Sequence, residues 1–372
     1  MRAAGEGVGH PVDLVEGRVI AGKYRLERCI GQGAMGSVWG ARHLGLDAPV
    51  ALKFMSPDLI ASAQAVSRFG REAVAAARLR SPHVVQILDH GVDQGEPFIA
   101  MEWLEGEDLG ARLRRTGRLS LREAAVIVTQ AAKALRVAQD EGVVHRDLKP
   151  SNIFLARVHG EEIVKLLDFG VAKLRPAGGV GAANATATGA LLGTPNYMSP
   201  EQVRGSKQID HRSDLWSLGI ILYYAITGRM PFTGASVGDV LVRICTQPLE
   251  PPTCVAFDLP PAVDWFFQRA CAREPEQRYQ TATELAAAFV TLAEGRQAGA
   301  PEGAGPPVSI RGPERPPGAV PIPVYYVPMR VAAPQRGVPM AAMLLALLVV
   351  LILALVASKS FEQHVQQILN DI

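Results

Sequence analysis

The stretch His-Arg-Asp-Leu-Lys-Pro-Ser-Asn at residues 145–152 constrains the fold more than any other part of the sequence. Its charged and amide side chains can converge only if the backbone forms a loop, and its proline favours such a break. Asp147 is suited to accept a proton from a hydroxyl group, Lys149 to neutralise a phosphoryl group, and Asn152 to hold a metal ion. Further along, Asp168 in Asp-Phe-Gly supplies a second carboxylate. The pattern indicates phosphoryl transfer; the alternative is a polar loop between two helices.

A glycine-rich loop lies between two strand-like stretches, residues 24–30 and 37–42. Gly31, Gly33 and Gly36 leave room for main-chain amides to approach phosphate oxygens. The same glycine spacing could open a dinucleotide-binding unit, but that unit requires a helix directly after the loop. Because the segment after the loop continues as a strand, the context favours a flap over the phosphates of ATP.

A single lysine lies in an otherwise apolar stretch at residues 49–55, which predicts a buried strand. Burying Lys53 costs free energy unless its charge is paired. The alternative is an edge strand from which the lysine extends to water. Residues 64–79, which include Glu72, have the pattern of a helix that ends before Ser-Pro. A buried Lys53 therefore requires a partner elsewhere in the chain.

Helical periodicity dominates the second part of the sequence. Ser120 and Glu123 are spaced as a capping box and precede a long amphipathic pattern. Thr281 and Glu284 match a second capping box at the start of a last helix. Between them, residues 212–227 predict an apolar helix. The chain thus changes from strands to helices after its first hundred or so residues.

Composition excludes some classes of protein. The 372 residues carry a formal net charge of +2 without a long run of like charges, which argues against nucleic-acid binding. The four cysteines are scattered and have no histidines at ligand spacing, so they predict reduced thiols of a cytosolic compartment. The first residues lack the apolar core of a secretory signal, so the N-terminal part is expected in the cytosol.

These motifs together resemble those of bacterial eukaryotic-type (Hanks-type) transmembrane serine/threonine protein kinases. The resemblance covers about residues 22–293 and includes Gly-Ala-Met-Gly at 33–36 and Met-Ser-Pro-Glu-Gln at 198–202. The family's usual Ala-Pro-Glu is Ser-Pro-Glu here. The resemblance implies an α+β, two-lobed protein kinase fold: a small antiparallel β lobe with one main helix, and a larger helical lobe.

The resemblance also implies catalytic roles. Asp147 would accept the proton of the substrate hydroxyl, while Lys149 would offset charge on the transferred phosphoryl group and mark serine/threonine specificity. Lys53 would hold phosphates and be oriented by Glu72. Asp214 would brace the main chain of the catalytic loop.

ATP and Mg²⁺ are the cofactors that the resemblance implies, and Mn²⁺ could replace Mg²⁺. The implied metal ligands are Asn152 and Asp168. The main chain at residues 102–104 would bind the adenine edge. The implied nucleotide contacts are Ile30, Gly31, Gly33, Gly36, Val38, Ala51, Lys53, Glu102 and Leu104.

The segment after Asp-Phe-Gly predicts the substrate and the mode of activation. Residues 174–191 are rich in glycine, alanine and threonine. Thr186 and Thr188 are predicted autophosphorylation sites, because Arg146 marks family members whose loop is ordered by a phosphothreonine. Two unmodified threonines are the alternative. Residues 193–201 resemble a peptide-docking segment, which implies protein substrates. The resemblance also implies that Arg278, in the late segment at residues 273–279, pairs with Glu201.

Two other classes of protein remain open. A pseudokinase scaffold would share the fold and act by binding, but such proteins usually lose the equivalents of Lys53, Asp147 or Asp168, which are all present. A small-molecule phosphotransferase would not need the docking segment.

The chain is predicted to continue from the kinase domain to a membrane anchor. Residues 340–357 hold no charged or strongly polar side chain, and basic residues precede them, which predicts a single span with the kinase domain in the cytoplasm. A buried core helix is the alternative. The predicted segments are a leader (1–22), the kinase domain (23–293), a Pro/Gly-rich juxtamembrane linker (294–338), a transmembrane helix (339–358) and an extracytoplasmic tail (359–372).

The linker and the tail leave two questions open. The linker reads as a spacer, with a polyproline-type docking site at residues 321–328 as the alternative. The tail could lie on the outer membrane face or pair with a second copy, so a homodimer stays open. The expected function is a membrane-anchored serine/threonine protein kinase acting in signal transduction.

Overall fold

The computed structural model describes residues 14–33, 36–169 and 195–295. The chain divides into two units, Met1–Ala304 and Gly305–Ile372, and every described residue belongs to the first. Among the helices of the described ranges, none is both long and apolar enough to cross a lipid bilayer. The transmembrane helix predicted at residues 339–358 lies outside these ranges, as do most of the leader and nearly all of the linker.

The smaller lobe contains a six-stranded antiparallel sheet. Its strands are β1 (Val19–Ile20), β2 (Tyr24–Gly33), β3 (Gly36–His43), β4 (Ala48–Met55), β5 (Ile87–Asp93) and β6 (Glu96–Glu102). They lie in the order β1-β2-β3-β4-β6-β5. The predicted strand–loop–strand unit and the strand with the single lysine are confirmed as β2, β3 and β4. Strand β4 lies inside the sheet, so Lys53 is not on an edge strand.

Two helices connect β4 to β5: α1 (Pro57–Ile60) and α2 (Ala63–Ala77). The hydroxyl of Ser62 caps α2 by accepting a hydrogen bond from the amide of Ala65 at 3.3 Å. Phe69 on α2 packs with Met55 and Ile99 of the sheet. The main helix predicted at residues 64–79 is therefore confirmed, with its last residue at Ala77.

The larger lobe is mostly helical. Its helices are α3 (Leu109–Thr116), α4 (Leu121–Asp140), α5 (Pro200–Arg204), α6 (Arg212–Thr227), α7 (Val237–Thr246), α8 (Pro252–Val255), α9 (Ala262–Ala270) and α10 (Ala282–Ala293). Nearly all of α6 is buried, which explains why its sequence is apolar around its whole circumference. The predicted two-lobed architecture is confirmed.

A three-stranded antiparallel sheet lies in the larger lobe. It consists of β7 (Gly106–Asp108), β8 (Ile153–Val158) and β9 (Glu161–Leu166), in that order. A short bridge joins Val84 to Leu166 and so ties the end of β9 to the segment before β5. Because β8 begins at the residue after Asn152 and β9 ends two residues before Asp168, this hairpin positions both ends of the candidate site.

The two predicted capping boxes have different outcomes. At α4 the box is complete, since the Ser120 hydroxyl accepts from the Glu123 amide and the Glu123 carboxylate accepts from the Ser120 amide. At α10 only the threonine half forms. The Glu284 carboxylate instead accepts hydrogen bonds from the Gln280 amide at 2.8 Å and from Arg269 at 2.6 Å. The prediction of a second capping box was therefore wrong for its glutamate half, because the Arg269 guanidinium from α9 competes for the Glu284 carboxylate.

Candidate active site

A buried carboxylate from α6 holds the main chain of the loop at residues 145–152. Asp214 accepts hydrogen bonds from the amides of His145 and Arg146, each at 2.8 Å. Burial raises the pKa of Asp214, and the nearby His145 and the two amides offset only part of this rise. Arg146 has a φ of +64°, a conformation uncommon for a residue with a side chain. The predicted bracing role of Asp214 is confirmed.

The imidazole of His145 ties this loop to the turn that carries Asp168. Its Nε2 lies 2.9 Å from the carbonyl oxygen of Leu167, and its ring centroid lies 4.8 Å from that of Phe169. His145 is fully buried. It is therefore a structural residue, and the two polar segments that it joins lie next to one another.

Three predicted site residues converge within the loop. Lys149 Nζ donates to Asp147 Oδ2 at 2.8 Å, and Asn152 Nδ2 donates to the main-chain oxygen of Asp147, also at 2.8 Å. The side chains of Asp147 and Lys149 keep 21% and 23% of their surface exposed. The loop thus presents a carboxylate and an ammonium group side by side, both accessible from the cleft.

Lys53 of β4 forms an ion pair with Asp168, with 2.5 Å between Nζ and Oδ1. Burial raises the pKa of the Asp168 carboxyl, but the positive charge and hydrogen bond of Lys53, helped by His145 and Lys149, outweigh it and hold that pKa below its usual range. The φ of Asp168 is +56°. The side chain of Glu72 lies outside the described part, so its pairing with Lys53 stays a prediction.

Asn152 and Asp168 provide oxygen ligands of the kind that Mg²⁺ and Mn²⁺ prefer. The Leu167 amide donates to the Asn152 carbonyl oxygen at 2.9 Å, which brings the two residues to adjacent backbone segments. Because Asn152 Nδ2 binds Asp147, the amide oxygen is the atom that could bind a cation. Within the described ranges no cluster of three or more His, Cys, Asp or Glu residues could hold a metal. With one oxygen from each of Asn152 and Asp168, a divalent ion would complete its coordination with phosphate oxygens or water.

The glycine-rich loop joins β2 to β3 in the smaller lobe. Gly31 and Gly33 face open space, since a Cβ atom at either position would meet no described atom within 4 Å. Gly36 has a φ of +142°, and a Cβ atom there would lie 1.9 Å from the Phe54 carbonyl oxygen. Gly36 is thus required by the fold, whereas the other two leave space for a ligand. The two residues between Gly33 and Gly36 lie outside the described ranges.

Sheet register places the other predicted nucleotide contacts around Lys53. Val38 lies opposite Lys53 across β3 and β4, and Ala51 lies opposite Met101 across β4 and β6. Glu102 ends β6, Leu104 follows it partly exposed, and Ile30 on β2 is 46% exposed. Their roles as nucleotide contacts stay predictions.

The segment between the lobes contains interactions that sequence reasoning missed. The Glu102 carboxylate accepts hydrogen bonds from Lys165 Nζ at 2.7 Å and from the Gln86 amide at 2.8 Å. The Trp103 ring lies over Gly40, where a Cβ atom would come within 3.1 Å of it. A lone lysine in the apolar stretch at residues 163–167 was a usable signal, of the same kind as the one that singled out Lys53.

A second brace lies below the candidate site. The guanidinium of Arg278 donates two hydrogen bonds to the Glu201 carboxylate, each at 2.8 Å, and the Arg278 side chain is fully buried. Ser213 on α6 donates to the same carboxylate at 2.5 Å. The predicted pair of Arg278 with Glu201 is confirmed. On α5, Nε2 of the Gln202 side chain donates to the Arg146 carbonyl oxygen at 2.8 Å, which connects this brace to the loop.

The predicted autophosphorylation sites lie outside the part of the chain that the structure describes. Thr186, Thr188 and the first two residues of the docking segment at residues 193–201 lie outside the described ranges, which resume at Pro195. Autophosphorylation at either threonine stays a prediction.

Comparison with known proteins identifies the class that this fold and site define. The family model described as "Protein kinase domain" matches residues 24–290. The chain therefore belongs to the protein kinase domain family, as the sequence motifs predicted.

Individual relatives are bacterial serine/threonine protein kinases. The serine/threonine-protein kinase pkn3 of Myxococcus xanthus is 43% identical over 270 residues, which cover 72% of this chain and 49% of pkn3. PknA of Mycobacterium tuberculosis is 36% identical over 296 residues, 78% of this chain and 66% of PknA. The crystal structure of the PknI kinase domain, also from Mycobacterium tuberculosis, has a TM-score of 0.60 at 31% identity and covers 75% of this chain and 100% of that domain. The chain thus spans about half to two thirds of the length of these curated relatives.

Proposed function

We propose that this protein is a membrane-anchored kinase that transfers the γ-phosphoryl group of ATP to serine and threonine hydroxyls of other proteins. The observation that carries the proposal is the convergence of Asp147, Lys149 and Asn152 on one braced loop beside the ion pair of Lys53 with Asp168. The names of the curated relatives support serine/threonine specificity.

Each side chain has a defined part in this reaction. Asp147 accepts the proton of the attacking hydroxyl, and Lys149 stabilises negative charge on the phosphoryl group in transit. Lys53, which binds Asp168 in the structure, exchanges part of this interaction for phosphate oxygens when the nucleotide enters. Catalysis then depends on positioning and on electrostatics inside a closed cleft.

A divalent metal would be held by Asn152 and Asp168. When bound, it would neutralise phosphate charge in the cleft. The lowered pKa of Asp168 keeps this carboxylate ionised and ready to bind a cation at neutral pH. The main chain of Glu102 and Leu104 receives the adenine edge, and Gly31, Gly33 and Gly36 cover the phosphates.

Activation and location complete the proposal. Thr186 and Thr188 are autophosphorylated, and the added charge orders the segment around them by pairing with Arg146. Residues 339–358 anchor the chain in the cell membrane with the kinase domain in the cytoplasm, where ATP is available. The protein passes signals to serine- and threonine-containing protein substrates.

Incubation of the full chain with labelled ATP and Mg²⁺ tests the activity. Lys53→Met and Asp147→Asn serve as matched controls, and mass spectrometry locates the phosphate. With the parent chain, we expect label on Thr186 or Thr188 and also on a generic basic protein substrate. With either variant, we expect no label on the chain or on the substrate. The proposal fails for a chain that binds ATP without transferring phosphate to itself or to protein, a result that would indicate a pseudokinase scaffold.

A further inference from the structure

Lys165 lies on β9, three residues before Asp168, and reaches the segment between the two lobes. Its ammonium group is 2.7 Å from Glu102 Oε1, and only 11% of the lysine side chain is exposed. The pair joins residues that are 63 positions apart in the chain. A lysine with so little exposure would destabilise the fold without a partner, so this contact is a defined part of the structure.

The same carboxylate oxygen of Glu102 also fixes the local main chain. It accepts a hydrogen bond from the Gln86 amide at 2.8 Å, and the Glu102 amide donates to the Gln86 carbonyl oxygen at 3.0 Å. Glu102 is therefore held to the segment before β5 through both its main chain and its side chain. Lys165 supplies the only positive charge found at this carboxylate among the contacts of the described residues.

The end of β9 belongs to the same hydrogen-bonded unit. The Leu166 amide donates to the carbonyl oxygen of His83 at 2.8 Å, and the Leu166 carbonyl oxygen accepts from the Val85 amide at 3.0 Å. Lys165 thus extends from a strand end that is tied to the neighbouring segment by its main chain. Its ammonium is largely buried and contacts Glu102 from the side of the larger lobe.

We propose that Lys165 is a positioning residue for adenine: by holding the Glu102 carboxylate, it sets the position of the main-chain groups at residues 102–104 that bind the adenine edge. The inference rests on the proposed ATP-dependent function. Lys165 does not touch the nucleotide, and its effect on binding passes entirely through Glu102.

Adenosine is the probe that separates this role from a role at the phosphates, because adenosine contains the base without phosphate or metal. The full chain is titrated calorimetrically with adenosine and with MgATP, in the wild type and in Lys165→Met. We expect affinity for both ligands to fall about tenfold, the factor that corresponds to one charge-assisted hydrogen bond. The KM for ATP rises by the same factor while kcat stays within about twofold, since the groups at the phosphates are unchanged.

Three further variants make the test specific. Lys165→Arg keeps the charge and should restore most of the affinity, whereas Lys133→Met removes an exposed lysine of α4 and should change nothing. Lys165→Met should have no further effect in a Glu102→Met background, because both changes remove the same interaction. Thermal unfolding of each variant is measured as a check on the fold. If the methionine side chain lowers the midpoint of thermal unfolding, Lys165→Gln replaces Lys165→Met.

Three results would overturn parts of this scheme, and they can be told apart. Equal adenosine affinity in the wild type and in Lys165→Met overturns the inference alone. A wild-type chain that binds neither adenosine nor MgATP overturns the proposed function together with the inference. A loss confined to MgATP would place the effect of Lys165 at Asp168 and would also reject a role in adenine positioning.

Discussion

At the scale of single residues, the candidate site contains two carboxylates with different proposed roles: Asp147 accepts a proton, and Asp168 stays ionised. Asp147 is partly exposed and has Lys149 as its charged neighbour, so an incoming hydroxyl can reach it. Asp168 lies beside Lys53, and the resulting ion pair outweighs desolvation and lowers its pKa. The different surroundings of the two carboxylates fit the different roles proposed for them.

Removing the proton acceptor should strongly reduce phosphoryl transfer without affecting the fold. Asp147→Asn keeps an oxygen that can accept from Lys149 but cannot take a proton. We expect kcat to fall about a hundredfold or more, the range typical of a general base, with ATP affinity unchanged. Steady-state phosphoryl transfer measures this, and Asp140→Asn, an exposed change at the end of α4, is the control. An equal loss of kcat in Asp147→Asn and Asp140→Asn would contradict the assignment of Asp147 as the proton acceptor.

The glycines of the loop between β2 and β3 should separate stability from binding. Gly36→Ala forces a Cβ atom against the Phe54 carbonyl oxygen at a positive φ, so we expect the free energy of unfolding to drop by about 1–3 kcal/mol. Gly33→Ala meets no described atom and should leave stability unchanged within about 0.5 kcal/mol. It should instead weaken ATP binding. Chemical denaturation and ATP titration of both variants distinguish the two effects.

At the scale of secondary-structure elements, one buried ion pair connects α5 to the segment before α10. Removing one partner of such a pair leaves a buried charge without compensation. Arg278→Met should therefore lower the free energy of unfolding by about 3–5 kcal/mol. Arg118, which binds Asp258 through two hydrogen bonds at the surface, provides the matched control, and Arg118→Met should have little effect. Similar losses of unfolding free energy in Arg278→Met and Arg118→Met, measured by denaturant unfolding, would contradict the importance of burial.

The same pair should make stability depend on pH. Burial raises the pKa of Glu201, but the hydrogen bond and charge of Arg278, together with Ser213, outweigh it and lower that pKa. A lowered pKa means that the stabilisation is complete above the usual glutamate pKa of about 4.3 and is lost as the pH falls through the lowered value. The stability difference between the wild type and Arg278→Met should therefore shrink in acid. A difference that is constant from neutral to acidic pH would contradict this.

At the scale of the whole molecule, the described kinase domain is followed by a long proline- and glycine-rich stretch and an apolar segment. If residues 339–358 span the membrane, the full chain should sediment with membranes and resist extraction by high salt. A chain that ends at Gly295 should stay in the supernatant. Fractionation of cells that express each form measures this. Full-length protein released by high salt would contradict the anchor.

Replacement of the apolar segment by an unrelated spanning helix asks whether the anchor also carries a signal. Unchanged activity in cells would exclude a specific role for residues 340–357 beyond attachment.

Much of the fold and site was predictable because it depends on neighbours in sequence. The catalytic loop, the glycine-rich loop and the capping box at Ser120 are each encoded within a few residues, so their patterns are readable directly. The apolar helix α6 was predicted with both of its ends, because burial on every side requires apolar residues at every turn. Strands β7 and β8 were not predicted, since short strands form only where partners are available to pair with them.

The sequence alone therefore determined the family, the two-lobed architecture and the residue types of the candidate site. Only the tertiary structure decided which charges meet: Lys53 with Asp168, Lys165 with Glu102, and Glu284 with Arg269 rather than with its own helix cap. These pairs join residues far apart in the chain, and their distances depend on how strands and helices pack. Local propensity carries no information on such distances, because an ion pair forms only where packing brings two charges within a few ångströms and shields them from water.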